Sequence, residues 1–264
     1  MRKLFPFILL LITLISCEEI PDSAVYNYPV RELESYFTFD YSLEDFCGNN
    51  NEWQSSEIAP DGWTFGDNGV VGKDFKTNSE LRSIYDREHN IYIFNDNKEL
   101  SSNLINYNNP FSTSLWFKCT SWNGMLESAG IIMWGDKLKF NDIAISLNIY
   151  GGIPRLGYLA INFNNQYFCE FDSPEAASCL VSKQSYIDNM WHHVVMTYDG
   201  SKMYLYVDNN LADKKERISI NLVNRVYLGT GDFYHFPGEI DEVFFYNTCL
   251  TPSEISQLYN MPNK

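Results

Sequence analysis

Trp191 to Leu211 reads WHHVVMTYDGSKMYLYVDNNL, and this stretch decides the fold class. Asp199-Gly200 is a hairpin-turn signal. On either side, His192 to Tyr198 and Lys202 to Val207 are rich in β-branched and aromatic residues, so the segment is predicted to run strand, turn, strand. Upstream, Asp142 to Tyr150 puts Ile143, Ile145, Leu147 and Ile149 on one face and Asp142, Ala144, Ser146 and Asn148 on the other, the period of two of a half-buried strand. Gly151, Gly152 and Pro154 then turn the chain. Arg155 to Phe163 and Gln166 to Phe171, joined through Asn164-Asn165, continue an antiparallel meander. Further strands are predicted at Ser35 to Asp40, Ile91 to Asn95, Ser112 to Cys119, Gly130 to Trp134, Arg225 to Gly229 and Glu239 to Tyr246. The last dozen residues break the pattern. Thr251-Pro252-Ser253-Glu254 supplies an N-cap, a proline at the first helical position and an acid in the first turn, with Ile255, Leu258 and Tyr259 as one apolar stripe.

Composition agrees with an all-β chain. Aromatics make up 16% of the 264 residues, and no long run of strong helix formers at helical spacing occurs. A formal net charge of -15 repels phosphate backbones, which argues against nucleic acid as a partner. No second linker interrupts the interior, so a single large domain is expected.

The N-terminus carries an address. MRKLFPFILLLITLISC has Arg2 and Lys3 ahead of an apolar run from Leu4 to Ile15, too short to span a bilayer. Leu14-Ile15-Ser16-Cys17 resembles the lipobox of bacterial lipoprotein signals. The resemblance implies cleavage before Cys17, which would then bear acyl chains; more than one chain anchors stably. Glu18 and Glu19 resemble the surface-export signal of Bacteroidetes-type lipoproteins, or else belong to a solvated tether. The implied organisation is a signal peptide over 1–16, a lipidated tether over 17–32 and a domain over 33–264. The implied location is the outer membrane, lipid-anchored and exposed at the cell surface.

Trp191 to Leu211 is similar to the hairpin of LamG-like domains in the concanavalin A-like lectin/glucanase superfamily, with Asn209 where that family has glycine. GEIDEVFFYNTCLTPSEISQLY, Gly238 to Tyr259, is similar to the family's closing strand and short helix. YFTFDYSLEDFCG, Tyr36 to Gly48, resembles its opening strand, and FSTSLWFK, Phe111 to Lys118, the strand opening its second part. The resemblance implies a two-sheet antiparallel jelly-roll sandwich with a short C-terminal helix, its first and last strands side by side.

Glu239 and Asp241 share one face of the closing strand, about 7 Å apart. The related glucanases set a further carboxylate on that face, where this chain has Val243, while Glu242 points the other way. A retaining glycosidase needs two carboxyls about 5 to 5.5 Å apart, and no enzymatic activity is expected. The resemblance also implies a structural Ca2+ where first and last strands meet, at Asp40 and Asp241; carbonyls and water would have to complete its shell. The alternative for Asp241 is capping of local backbone amides or pairing with a lysine or arginine. His192 and His193, adjacent on a strand, face opposite ways and do not share an ion; one is expected to be buried beside Trp191 as packing and the other to be surface polar.

With Cys17 lipidated, five cysteines remain. Cys169 and Cys179 flank a short excursion and are the first expected disulfide. Cys47 and Cys249 follow the opening and closing strands, neighbours in the family, and are the second. Cys119 is left as a small buried hydrophobe; reduced thiols throughout are the alternative.

Ligand recognition is assigned to loops, where an aromatic ring stacks on a sugar and carboxamides or carboxylates hold its hydroxyls. Thr120 to Ser128 offers Trp122 and Asn123. Thr230 to Pro237 offers Asp232, Tyr234 and His235 together with Phe233 and Phe236, and Trp53 and Trp63 lie in a third region. For each ring, packing beneath a loop is the alternative. The expected function is non-catalytic glycan binding for capture or attachment, with a cell-surface protein as the other class of partner.

Overall fold

The computed structural model describes residues 28–40, 42–49, 51, 53–55, 63–77, 93–95, 109–119, 129–136, 142–149, 156–163, 179–216, 225–230 and 234–263. Among these, two antiparallel sheets face one another. The first holds β1 (Leu33–Phe37), β3 (Trp63–Gly66), β4 (Asp74–Thr77), β6 (Phe111–Cys119), β11 (His192–Tyr198), β12 (Lys202–Val207), β13 (Asn210–Glu216) and β16 (Gly238–Tyr246). The second holds β2 (Gln54–Ser55), β5 (Ile93–Asn95), β7 (Ala129–Asp136), β8 (Asp142–Ile149), β9 (Tyr158–Phe163), β10 (Leu180–Ser185), β14 (Val226–Leu228) and β15 (Tyr234–His235), the last pairing parallel to β7. No helix among the described residues is long and apolar enough to cross a membrane.

Alternation builds the core. Ile145, Leu147 and Ile149 of β8 face Phe117, Leu115, Val194 and Met196 of the opposite sheet's strands within one buried cluster that also holds Phe37, Phe75, Trp134 and Phe245. Trp53 belongs to it too, edge-on to Phe37 at 5.4 Å, so this ring packs in the interior. The outer face of the first sheet buries a second cluster. There Val195, Phe244 and Tyr246 receive Ile255, Leu258 and Met261 from the C-terminal helix α1 (Pro252–Asn260) and the short 3-10 turn behind it (Met261–Asn263). Helix α1 starts as its sequence requires: Thr251 Oγ1 accepts the Glu254 N–H, and Glu254 accepts the Thr251 N–H at 2.7 Å. Arg31 ties this helix start to β1 through an ion pair with Glu254 at 3.0 Å.

First and last strands are neighbours, Tyr36 opposite Phe244 and Phe37 opposite Val243. The β11–β12 hairpin has the expected bounds. Strand β8 pairs β9, whose other neighbour is β10; the expected strand at Gln166 to Phe171 lies outside the described residues. Strand β16 is shared along one edge, since Glu239 and Ile240 pair β4 whereas Val243 to Tyr246 pair β1. At the change of partner the register slips and Glu242 takes φ 51°, a left-handed bulge.

Candidate binding site

The strand ends that flank the two segments singled out as sugar platforms lie together at one end of the sandwich. Loop 120–128 leaves β6 at Cys119, directly opposite Gly238, and enters β7 at Ala129, directly beside Tyr234. Strand β15 runs alongside β7 with Tyr234 opposite Ala129 and His235 opposite Gly130. Both ends of loop 120–128 are therefore moored to the segment 234–238, and the loop carrying Asp232 shares its base. Three contacts fix that base. The Phe236 N–H donates to the Gly229 carbonyl at 3.0 Å, the Thr77 hydroxyl donates to the Phe236 carbonyl at 2.6 Å, and the Gly238 N–H donates to the same hydroxyl at 3.1 Å. A Cβ on Gly238 would meet the Lys118 carbonyl oxygen at 2.1 Å, so this close crossing of chains requires glycine.

Trp122, Asn123 and Asp232 lie outside the described residues, and for Tyr234 and His235 only the backbone is placed. Phe236 is fully buried against Phe117 at 6.2 Å and serves as packing. Trp63 packs on Phe65 and Phe75 at 5.3 and 5.6 Å.

Behind this end, on the first sheet, lies a group of buried carboxylates. Asp241 sits at the change of partner along β16. Its Oδ2 accepts the N–H groups of Val70 and Val71 at 2.8 and 3.2 Å, and its Oδ1 accepts the Glu242 N–H at 2.9 Å. Asp40, just beyond β1, accepts the Lys73 N–H at 2.8 Å. The strap 67–73 is thus pinned at its middle by Asp241 and at its far end by Asp40, the two acids that were expected to bind calcium. Space enforces it: a Cβ on Gly69 would meet Asp241 Oδ2 at 2.9 Å, and one on Gly72, with φ +67°, would meet Asp40 Oδ1 at 1.9 Å. The paired glycines in GVVGK were the sequence signal for this strap.

Glu242, the bulge residue itself, accepts a short hydrogen bond from the hydroxyl of Tyr36 in the outer cluster. Burial pushes its carboxyl up to about 8, and nearby Asp40 adds to the rise. Burial and the neighbouring Glu242 likewise hold Asp241 well above the usual carboxylate range. Glu239 differs. Burial opposes its charge, but Lys118 at 2.6 Å and Lys76 at 3.1 Å outweigh it and hold the carboxyl below its ordinary value. Asp74, wholly buried, rises to about 6 through burial and then the charge of Glu239. Asp241 and Asp40 hold amides and Glu239 holds lysines of the chain itself, and Glu239 and Asp241 are at most 2% exposed. Calcium needs six to eight oxygens. Among the described residues no group of three His, Cys, Asp or Glu side chains converges to hold a metal, and the oxygens of Asp241 point at amides. The donor set fits amide capping rather than a resident ion.

The family model Laminin_G_3, described as concanavalin A-like lectin/glucanases superfamily, matches residues 94–256, more than half of the chain. The chain belongs to that superfamily. Similar solved structures extend the likeness to both sheets. Domain 4 of AbnA, a GH43 extracellular arabinanase from Geobacillus stearothermophilus, solved in complex with arabinotriose, is 19% identical with a TM-score of 0.60, over 86% of this chain and 98% of that domain. The binding domain of Paraclostridial Mosquitocidal Protein 1 is 16% identical with a TM-score of 0.60, over 87% and 52%. The binding domain of botulinum neurotoxin DC in complex with rat synaptotagmin II is 19% identical with a TM-score of 0.59, over 88% and 52%. This chain therefore spans about half the length of the toxin binding domains, and at these identities the likeness establishes the fold. No curated protein matches the chain.

Within this superfamily member the two adjacent histidines part company, as their place on one strand requires. His193 is buried with Nε2 2.7 Å from the Ser114 hydroxyl and its ring 5.1 Å from Trp116; burial pushes it down to about 3, so it is neutral packing. His192 points the other way, between Asp188 and Asp208 and edge-on to Tyr186, and at 7% exposure it too is buried, so neither histidine is the surface residue that was expected. The cysteines depart from expectation at one pair. Cys249 is a free, half-buried thiol that accepts the Thr197 hydroxyl at 3.4 Å, so the expected Cys47–Cys249 bridge is not made. Adjacency of β1 and β16 was the ground for that pair, but Cys249 turns back towards β11 instead. Cys47 and Cys179, which lie against different sheets, each take part in a disulfide; Cys119 is a buried thiol, and Cys169 and Cys17 lie outside the described residues.

Proposed function

We propose that this chain is a non-catalytic glycan-binding lipoprotein, anchored through Cys17 at the bacterial outer membrane and exposed at the cell surface, with its ligand held by loops 120–128 and 231–237. The observation that carries the reading is the pairing of Tyr234 and His235 with Ala129 and Gly130, which sets the base of the Trp122 and Asn123 loop against the base of the Asp232 loop. The sequences of these two loops supply aromatic rings and amide or carboxylate groups, the content a sugar site needs. Support also comes from the arabinanase domain of the same fold, which was solved with arabinotriose. Burial of Glu239 and Asp241, and their engagement with lysines and amides, supports binding rather than hydrolysis. Lipid attachment rests on the Leu14-Ile15-Ser16-Cys17 motif.

A glycan array that includes arabinotriose, probed with a soluble form lacking the signal and Cys17, tests the binding reading. Trp122→Ala and Tyr234→Ala are expected to abolish the signal. Binding that survives both changes refutes the choice of loops. Silence across the array moves the assignment to a protein partner, the reading favoured by the toxin domain solved with synaptotagmin II. Incorporation of labelled palmitate, lost in Cys17→Ala, tests the anchor.

A further inference from the structure

We propose that His192 is a proton-operated clamp that ties turn 187–191 to turn 208–209 and braces the loop end of the sandwich. The ring stands at the start of β11, 5.8 Å from Phe117 and edge-on to Tyr186 at 4.8 Å. Its Nδ1 lies 2.8 Å from Asp208 Oδ2, and its Nε2 lies 3.0 and 3.1 Å from the two oxygens of Asp188. Carboxylates accept and do not donate, so both ties form only when both ring nitrogens carry hydrogen; a neutral imidazole has one N–H and surrenders one turn. Neither carboxylate is free to follow. Asp208 Oδ1 accepts the His193 N–H at 3.0 Å, and Asp188 Oδ1 accepts the Met190 N–H at 3.0 Å.

Both turns need bracing, because Asn189, Asp208 and Asn209 hold φ of 61°, 47° and 62°, left-handed values that cost free energy in residues other than glycine. The titratable groups facing the ring are Asp188, Asp208 and Tyr186, with apolar Phe117 on the β6 side; burial, aided by Asp208, pushes Tyr186 up to about 12, so it stays neutral. Burial alone would lower the imidazole, but hydrogen bonds to Asp208 and Asp188 outweigh it and raise it above 6.5. His192 pairs with Phe117, two residues before β6 ends at the base of loop 120–128. An effect on glycan binding rests on the proposed function; the clamp itself does not.

A group whose folded pKa is raised stabilises the fold below its unfolded value, and that stability is lost as pH rises through the folded value. Melting temperature from pH 5 to 9 for the mature chain, His192→Gln and His192→Phe, with the imidazole titrated by NMR in the first, reads the clamp without any ligand. Wild type should lose about 3 °C more than either variant across that range, as expected when one charged hydrogen bond is given up in a domain of this size, and the His192 ring should titrate above 6.5. Parallel pH profiles for wild type and His192→Gln, or a ring titrating at or below 6.5, would overturn the proposal. Should His192→Phe fail to fold, His192→Gln and the wild-type ring decide the matter. Failure of the glycan reading is a separate result, seen on the array alone.

Discussion

Asp241→Ala removes the carboxylate that binds both Val70 and Val71, and with it the hold on the middle of the strap over the first sheet. Three amide donors, those of Val70, Val71 and Glu242, lose their acceptor at a side chain with no exposure to solvent. A buried donor left unsatisfied costs about 1 to 3 kcal/mol. The Val70 and Val71 amides are only partly buried and recover some of that loss from water, so the expected destabilisation is about 3 to 4 kcal/mol. In a domain of this size that lowers Tm by roughly 6 to 16 °C. Asp241→Asn keeps one carbonyl oxygen, and since burial already disfavours the charged acid it should cost only about 1 kcal/mol. Differential scanning calorimetry of both variants measures the difference, and hydrogen exchange at Val70 and Val71 localises it. A Tm for Asp241→Ala within a degree or so of wild type, with protection at those amides unchanged, would refute the pinning of the strap.

Other perturbations follow from the same geometry. Glu242, raised to about 8 in the folded chain, keeps its proton there while the unfolded chain has lost it, so its contribution to stability falls as pH rises from the ordinary carboxylate range to about 8. Glu242→Gln should therefore gain Tm relative to wild type between pH 5 and 9; a constant difference would show that the carboxyl is not raised. Chelation with EDTA should leave Tm unchanged because amides, not an ion, satisfy Asp241 and Asp40; a clear fall would place a cation among Asp40, Asp241 and Glu242. Alkylation without reductant should label Cys249 in the native chain and Cys119 only on unfolding, with Cys47 protected until reduction. Labelling of Cys47 in the unreduced chain would contradict its bonding.

How much of this was legible in the chain depends on how local each signal is. The hairpin around Asp199-Gly200 and the capping box at Thr251 are specified by residues next to one another, and both stand where their chemistry puts them. Strand β13 was missed because NLADKKE alternates poorly; it is an edge strand whose place is set by pairing with β12 through the preceding turn. Strands β3 and β4 were missed for a related reason: WTFG and DFKT are four residues each, and β4 is held by β16 from far along the chain. Alternation put Glu239 and Asp241 on one face but failed beyond them: the bulge at Glu242 turns Val243 into the core beside Ile240 and aims Glu242 at Tyr36 of the outer cluster, the reverse of the expected order. It could not reveal that β16 changes partner between them and β1, nor that Val70 and Val71 arrive to cap Asp241. The Cys47–Cys249 pairing failed because strand adjacency does not fix the direction of the residues beyond the strand ends.

The central claim is that the end of the sandwich bearing loops 120–128 and 231–237 holds the ligand. Amide chemical-shift mapping of the soluble domain, titrated with arabinotriose and with whichever glycan the array selects, tests it most directly. The account predicts shifts at Cys119, Ala129, Gly130 and the segment 234–238, whose backbones form the base of both loops. Shifts confined to the far end, around Asp199 to Lys202 and Asn247 to Thr251, or none with any glycan, would contradict it.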